Sequence, residues 1–222
     1  MRKRIAIYGG TFDPVHSGHL EIARRVTQLF GIGEFLFVPA MVAPHKMDRE
    51  VSGALHRYAM LALATREDPR LSISSFELDG PGRQYTVDTL LHFRSLLPES
   101  ADLFFVMGAD SWAEFTTWRE WRRLLTLANL IVVTRPGYDI SRAPASAELG
   151  ASMVDLRGLK EPAGETGSPR VFVTDAVMLE VSATEIRRAA SEDDCEKLNE
   201  LVPREVAEYI RKYGLYRNTT DV

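Results

Sequence analysis

The sequence predicts an α/β chain wound on both faces of a parallel sheet, and three observations carry that expectation. Short apolar, β-prone runs recur at 5–8 (IAIY), 34–39 (EFLFVP), 102–107 (DLFFVM), 130–133 (LIVV) and 171–174 (VFVT), as expected of strands buried on both faces. Between several of them, apolar residues fall at helical spacing, which suits crossover helices. The runs end in glycine or polar turns, so that reactive side chains gather at the carboxyl ends of the strands, where sheets of this kind hold ligands.

The first unit is the most informative. Residues 5–8 lead into Gly9 and Gly10, which let the backbone turn sharply and approach a ligand with no side chain between. Thr11, Phe12, Asp13 and Pro14 continue the turn, and from Ser17 or Gly18 onward Leu20, Ile22, Ala23, Val26, Leu29 and Phe30 mark an amphipathic helix. Its first turn presents unpaired amides and the positive dipole end above the strand, so an anion belongs there. His16 and His19, three apart, place two imidazoles near the same point, and Thr11 adds a hydroxyl. The string lacks the Gly-Lys-Ser/Thr of a P-loop and the three spaced glycines of a dinucleotide fingerprint. Taken singly, each histidine also reads as a surface residue beside a helix cap.

Further along, the loop 39–46 (PAMVAPHK) brings His45 and Lys46 to the same rim; alone, Lys46 also reads as a solvated charge. Ser52 is the expected N-cap of a helix over 53–66, whose apolar face leaves Arg57 pointing elsewhere. Residues 71–75 alternate like a strand, and Thr86 is the expected N-cap of a helix that Pro98 stops, with Tyr85 a packed aromatic beside it. The run 102–107 enters Gly108 and Asp110, a glycine and a carboxylate suited to a nucleotide's base or sugar. Trp112, Trp118 and Trp121 follow; core packing is the ordinary fate of each, and at least one is a candidate ring-stacking surface. The strand at 130–133 delivers Arg135. Residues 137–168 break the rhythm and read as a surface excursion, with a short strand around 153–156, and 177–179 is again β-like. Ser182 and Glu185 then form a capping box with Thr184 and Arg187 in the first turns, an ordinary helix start or a second anion site. Helical patterns near 195–201 and 203–213 suit C-terminal packing.

Composition narrows the class. The 222 residues, 45% of them apolar, can build a sizeable core, and a single domain over 1–222 is expected, with C-terminal helices from 182. A net charge of −4 carries no general basic footprint, which argues against a nucleic-acid partner. Cys195 alone permits neither an intrachain disulfide nor a multi-thiolate zinc site, and suits a reduced, cytoplasmic protein. No long apolar run or leader pattern indicates a membrane.

The string GGTFDPVHSGHL resembles the nucleotidyltransferase signature Gly-x-Phe-Asp-Pro-x-His-x-Gly-His. With it, in family order, come the APHK ending, RYAML around Arg57, QYTVDTL, FFVMGADS, the Trp118 region, VVTRPG and VSATEIR, so the chain resembles the bacterial nicotinate-nucleotide adenylyltransferases along nearly its whole length. Val181 and Ala183 stand where isoleucine and serine are frequent in that family, and one proline before Pro44 is replaced. The resemblance implies a Rossmann-like doubly wound fold and transfer of AMP from ATP to nicotinate mononucleotide. It implies that Gly9, Gly10, Thr11, Phe12, His16, His19, Lys46, Ser182, Thr184 and Arg187 surround the triphosphate, with Mg2+ on the ATP phosphates and no metal held by protein ligands. Gly108 and Asp110 would face the adenosine, and Lys46, Tyr85, Thr86, Trp118 and Arg135 the nicotinate nucleotide. The catalytic contribution falls to His16, His19, Lys46 and Arg187. Nicotinamide mononucleotide or phosphopantetheine as acceptor, and a non-catalytic nucleotide-binding module, are the alternatives; a homo-oligomer is left open.

Overall fold

The computed structural model describes residues 2–41, 51–80, 82, 84–134, 138–158, 170–175 and 181–217. In chain order these form β1 (Arg4–Gly10), α1 (Ser17–Phe30), β2 (Glu34–Pro39), α2 (Ala54–Thr65), β3 (Leu71–Ile73), α3 (Phe76–Asp79) and α4 (Thr86–Leu96). Next come β4 (Asp102–Gly108), α5 (Ala109–Ala113), α6 (Trp121–Leu127), β5 (Asn129–Val133), α7 (Pro144–Leu149), β6 (Met153–Asp155) and β7 (Val171–Thr174). The last three elements are α8 (Ala183–Ser191), α9 (Cys195–Leu201) and α10 (Arg204–Tyr213).

The strands form one seven-stranded sheet in the order β3-β2-β1-β4-β5-β7-β6, and every neighbouring pair is parallel. The central strands are apolar throughout because both faces are covered. Ala6, Tyr8, Phe35, Phe37, Phe104 and Val106 point into a core shared with α1, α2, α8, α9 and α10. Ile5, Ile7, Leu36, Leu103, Phe105 and Leu130 point the other way, into a core shared with α4, α5 and α6. Each fully buried side chain of this size contributes about 1.5–3 kcal/mol by leaving water, so the two cores hold the sheet from both sides. This is the doubly wound α/β architecture expected from the alternating pattern.

Several local expectations are corrected. The α2 N-cap is Gly53, not Ser52, and the helix starts at Ala54. Ser52 instead offers its carbonyl to the Arg57 Nε–H at 3.0 Å. Thr86 is the first residue of α4 rather than its cap: Tyr85 holds the cap position, and its N–H donates to the Asp88 carboxylate at 3.3 Å. The strand at 71–75 ends at Ile73, after which α3 follows, a turn of helix too short to show periodicity. It is tied to α4 by the Thr89 hydroxyl, which donates to Glu77 at 2.7 Å.

The stretch 137–168 is not simply a surface excursion. Its described residues 138–158 contain α7 and β6, and β6 extends the sheet by pairing with β7 through Met153–Val171, Val154–Phe172 and Asp155–Val173. Ile140, Ala143 and Ala145 are buried against the second core. Ser146 fastens the segment, accepting from the Trp112 indole N–H at 2.9 Å and donating to the Ile140 carbonyl at 2.7 Å. Of its helix and strand, α7 buries only Ala145 and β6 buries no residue fully, so no apolar period marks the helix. The β-like residues at 177–179 lie outside the described residues.

Candidate active site

The chain winds outward from β1 through β2 to β3, then crosses back to place β4 on the other side of β1. A crevice therefore opens between the carboxyl ends of β1 and β4, where successive connections leave for opposite directions. Gly9 and Gly10 end β1 and Gly108 ends β4, so both walls of the crevice lack side chains. A Cβ on Gly108 would meet nothing within 4 Å, whereas one on Gly10 would lie 2.9 Å from the Phe12 ring. A side chain at position 10 would therefore push the Phe12 ring out of its place in the core.

That loop reverses through Phe12, whose φ of 50° is unusual for a residue with a side chain. The ring is buried, edge-on to Tyr8, Phe37 and His19 at centroid separations of 5.5, 5.4 and 5.0 Å. Phe12 therefore anchors the reversal from within the core, leaving its backbone to the crevice. Behind the loop lies Arg57, 1% exposed, on the concealed side of α2. Its guanidinium donates to the carbonyls of Thr11 at 2.8 Å, Ser52 at 3.0 Å and Met41 at 3.3 Å. Three acceptors offset the cost of burying that cation, and removing it would leave the loop's carbonyls unpaired.

The two histidines stand at the start of α1 with rings stacked, centroids 3.6 Å apart. His16 is buried, and its Nδ1 has no hydrogen-bond partner among the described residues. Loss of water pushes its pKa from 6.5 down to about 4, so it is neutral at pH 7. His19 is half-buried, and its Nδ1 accepts the His16 N–H at 3.3 Å. In the neutral ring the proton then sits on Nε2, which makes that nitrogen a donor. Gly18 allows the packing: a Cβ there would approach the His16 Nδ1 to 3.1 Å and the Val181 Cβ to 3.8 Å.

That proximity to Val181 brings the start of α8 against the start of α1. Ser182 caps α8, its hydroxyl oxygen accepting the Glu185 N–H at 3.1 Å. Arg187, one turn in, donates to the Asp13 carbonyl at 2.8 Å and to the Thr184 hydroxyl at 3.0 Å, joining helix to loop. Two helix starts, two imidazoles and a guanidinium therefore converge on the Gly9–Asp13 turn. Their combined field favours an extended polyanion.

Across the crevice, Asp110 is exposed in the first turn of α5. Of the three tryptophans, Trp112 and Trp121 are buried in the second core, and Trp118 is half-buried, edge-on to Phe105 and Phe115. Trp118 alone of them is not buried, which leaves it the one tryptophan with surface for another ring. Tyr85 and Thr86, half-buried at the start of α4, lie on the same side of the sheet, and the Arg119 guanidinium stands 4.8 Å above the Tyr85 ring. Lys46 and Arg135 lie outside the described residues. A cavity of about 540 Å3 sits at the opposite, amino end of β3, where Arg66 pairs with Glu205 at 2.7 Å and Arg70 with Asp68 at 2.9 Å. Its balanced charges do not resemble the cationic turn after β1.

Sequence reasoning missed the roles of Arg57, Asp13 and Tyr216. Asp13 is 2% exposed and accepts the Tyr216 hydroxyl at 2.8 Å. Arg57 stands within RYAML and Asp13 within the loop string, yet the contacts that tie them into the turn, Arg57 to Thr11 and Asp13 to Arg187 and Tyr216, are remote in sequence.

A parallel sheet with glycine-walled strand ends, and two helix starts over the first turn, defines an α/β protein with a crevice suited to a phosphate-bearing ligand. The chain belongs to the cytidylyltransferase-like family, whose model matches residues 7–189, and within it to the nicotinate-nucleotide adenylyltransferases. It is 41% identical to a Thermus thermophilus protein named "Probable nicotinate-nucleotide adenylyltransferase", over 96% of this chain and 100% of that one. A Neisseria meningitidis protein of the same name is 38% identical over 96% of this chain and 98% of its own length. Among solved structures, Plasmodium falciparum nicotinic acid mononucleotide adenylyltransferase complexed with NaAD superposes with a TM-score of 0.74. It covers 97% of this chain and 98% of its own at 20% identity, a likeness of fold.

Proposed function

We infer that the protein transfers AMP from ATP to nicotinate mononucleotide, forming nicotinate adenine dinucleotide and pyrophosphate in NAD biosynthesis. The observation that carries this reading is the convergence of the α1 and α8 starts on the β1 turn, in a chain whose relatives bear that activity in their names. A phosphate oxygen of the acceptor attacks the α-phosphorus of ATP, the bond from that phosphorus to the bridging oxygen breaks, and pyrophosphate leaves with the electron pair. The acceptor phosphate is already ionised at pH 7, so no base need take a proton from it. The protein's task is alignment and charge stabilisation.

In this mechanism the amides after Gly9 and Gly10, with Thr11, Phe12, His16 and His19, would hold the triphosphate from one side. Ser182, Thr184 and Arg187 would hold it from the other, and Lys46 would add a cation. Gly108 leaves room for the adenosine, with Asp110 beside it, while Thr86, Tyr85, Trp118 and Arg135 would receive the nicotinate nucleotide. Magnesium is a hard, oxygen-seeking ion. Among the described residues no three His, Cys, Asp or Glu side chains are grouped to hold one. ATP's own phosphate oxygens would carry it, where it would neutralise charge building on the departing pyrophosphate.

The test is pyrophosphate release from ATP and magnesium with each acceptor in turn. Release with nicotinate mononucleotide is expected. Release only with phosphopantetheine, or with no acceptor at all, overturns the assignment.

A further inference from the structure

Asp13 is where remote parts of the chain take hold of the β1 turn. Its carboxylate, 2% exposed, accepts the hydroxyl of Tyr216, 203 residues away, at 2.8 Å, and the Ser52 N–H at the hydrogen-bond limit of 3.5 Å. Its carbonyl accepts Arg187 at 2.8 Å. Tyr216 follows α10 in a turn closed by the Leu215 N–H on the Ile210 carbonyl at 3.0 Å, and its φ is 68°. A tyrosine adopts that left-handed backbone only where its surroundings compensate. Here the bend delivers the phenol to a buried carboxylate, whose oxygens need donors in place of the water they have lost. Burial and the Asp13 charge both push the Tyr216 pKa above its ordinary value, so the hydroxyl keeps its proton and donates.

We propose that Tyr216 is a positioning residue for adenylyl transfer: by donating to the Asp13 carboxylate it fixes the Gly10–His16 turn against α8, in the geometry that receives the triphosphate. The proposal rests on the functional reading above. No direct contact with substrate is assigned to Tyr216; it acts through Asp13, and its segment clamps the turn from outside the sheet.

Tyr216→Phe removes the hydroxyl and keeps the ring. The expected result is kcat lowered about tenfold with the KM for nicotinate mononucleotide within twofold, and ATP affinity, measured by calorimetry without acceptor, weakened at least threefold. Asp13→Asn should lower kcat similarly, and the double variant should fall little further than either single one, because both break one link. Arg217→Ala is the control: it cuts the ion pair between the same segment and Asp193, and kcat should stay within twofold. The proposal is overturned by kcat or ATP affinity within twofold of the unaltered protein in Tyr216→Phe, by additive losses, or by an equal loss in Arg217→Ala. Should Tyr216→Phe fail to fold, Asp13→Asn carries the same test, with unchanged kcat as the overturning result. The ATP measurement needs no acceptor, so it decides the clamp even if the unaltered protein fails to use nicotinate mononucleotide, a result that would fail only the functional reading.

Discussion

His16 and His19 share one helix start and two stacked rings, yet their surroundings give them different chemistry. His16 is buried and neutral, whereas His19 is half-buried, its Nδ1 accepts the His16 N–H and, in the neutral ring, its Nε2 carries the proton. His19 is therefore the histidine expected to stabilise charge in the transition state. His19→Ala should lower turnover on the order of a hundred- to a thousandfold, the usual cost of one preorganised donor, with a much smaller change in acceptor binding. Single-turnover rates changed less than threefold would remove His19 from the mechanism. Arg187 presents the companion problem. Its Nη1 and Nη2 already reach Asp13 and Thr184, so the guanidinium fork joins loop to helix while aimed at the same turn. A lysine has one nitrogen where arginine has a planar fork, so it cannot span both oxygens in that geometry and also meet a phosphate. Arg187→Lys should thus lower kcat/KM for ATP at least tenfold, about 1.4 kcal/mol. Unchanged ATP affinity and turnover in both the Lys and Ala variants would leave Arg187 as a structural brace alone.

Among the elements, those with a sustained period were legible and those without one were not. α1 and the buried strands β1, β2, β4 and β5 follow the expected runs within a residue or two, because each shows several apolar residues at its proper spacing. α3 spans four residues, too few to display a period; β6 falls within the short strand expected around 153–156, and the cap of α4 falls one residue before Thr86 because Asp88 satisfies the Tyr85 N–H from inside the helix. The corrected start of α4 still bears on acceptor choice, since its first amides lie on the same side of the sheet as Trp118. Stacking on Trp118 would hold an acid or an amide ring about equally. Discrimination must come from donors, and a helix N-terminus favours negative charge by roughly 0.3–1 kcal/mol when exposed and up to about 2 when partly buried. An amide would also turn NH2 toward those donors and leave polar groups unpaired. The acid mononucleotide should therefore be preferred at least tenfold in kcat/KM, about 1.4 kcal/mol. Equal efficiency, at saturating ATP and magnesium, would remove the donor argument and leave adenylyl transfer standing.

At the scale of the molecule, the contacts that fix the site join residues no local pattern connects: Arg57 to Thr11 across 46 positions, Arg187 to Asp13 across 174 and Tyr216 to Asp13 across 203. The motif string points to the loop proposed to hold the phosphates; only the fold reveals what holds the loop. One of these buried groups also makes the stability of the whole chain depend on pH. His16 is neutral in the fold, its pKa lowered from 6.5 to about 4 by burial, while in the unfolded chain it protonates near its ordinary value. Between those values the unfolded state binds the additional proton, so stability rises with pH across this window and is lost as pH falls from 6.5 toward 4. The loss amounts to roughly 3 kcal/mol at the acid end, since each tenfold difference in proton affinity between the two states is worth about 1.4 kcal/mol. Below pH 4 both states are protonated and the contribution stops changing. Asparagine at this position cannot titrate, so the difference in unfolding free energy between the unaltered protein and His16→Asn isolates the histidine from carboxylates that titrate in the same range. Urea unfolding at pH 7.5, 6, 5 and 4.5 should show that difference shifting against the unaltered protein as pH falls, by more than about 1 kcal/mol in total. Parallel curves across the series would mean that His16 protonates as readily in the fold as outside it, and would contradict the effect of its burial beneath His19.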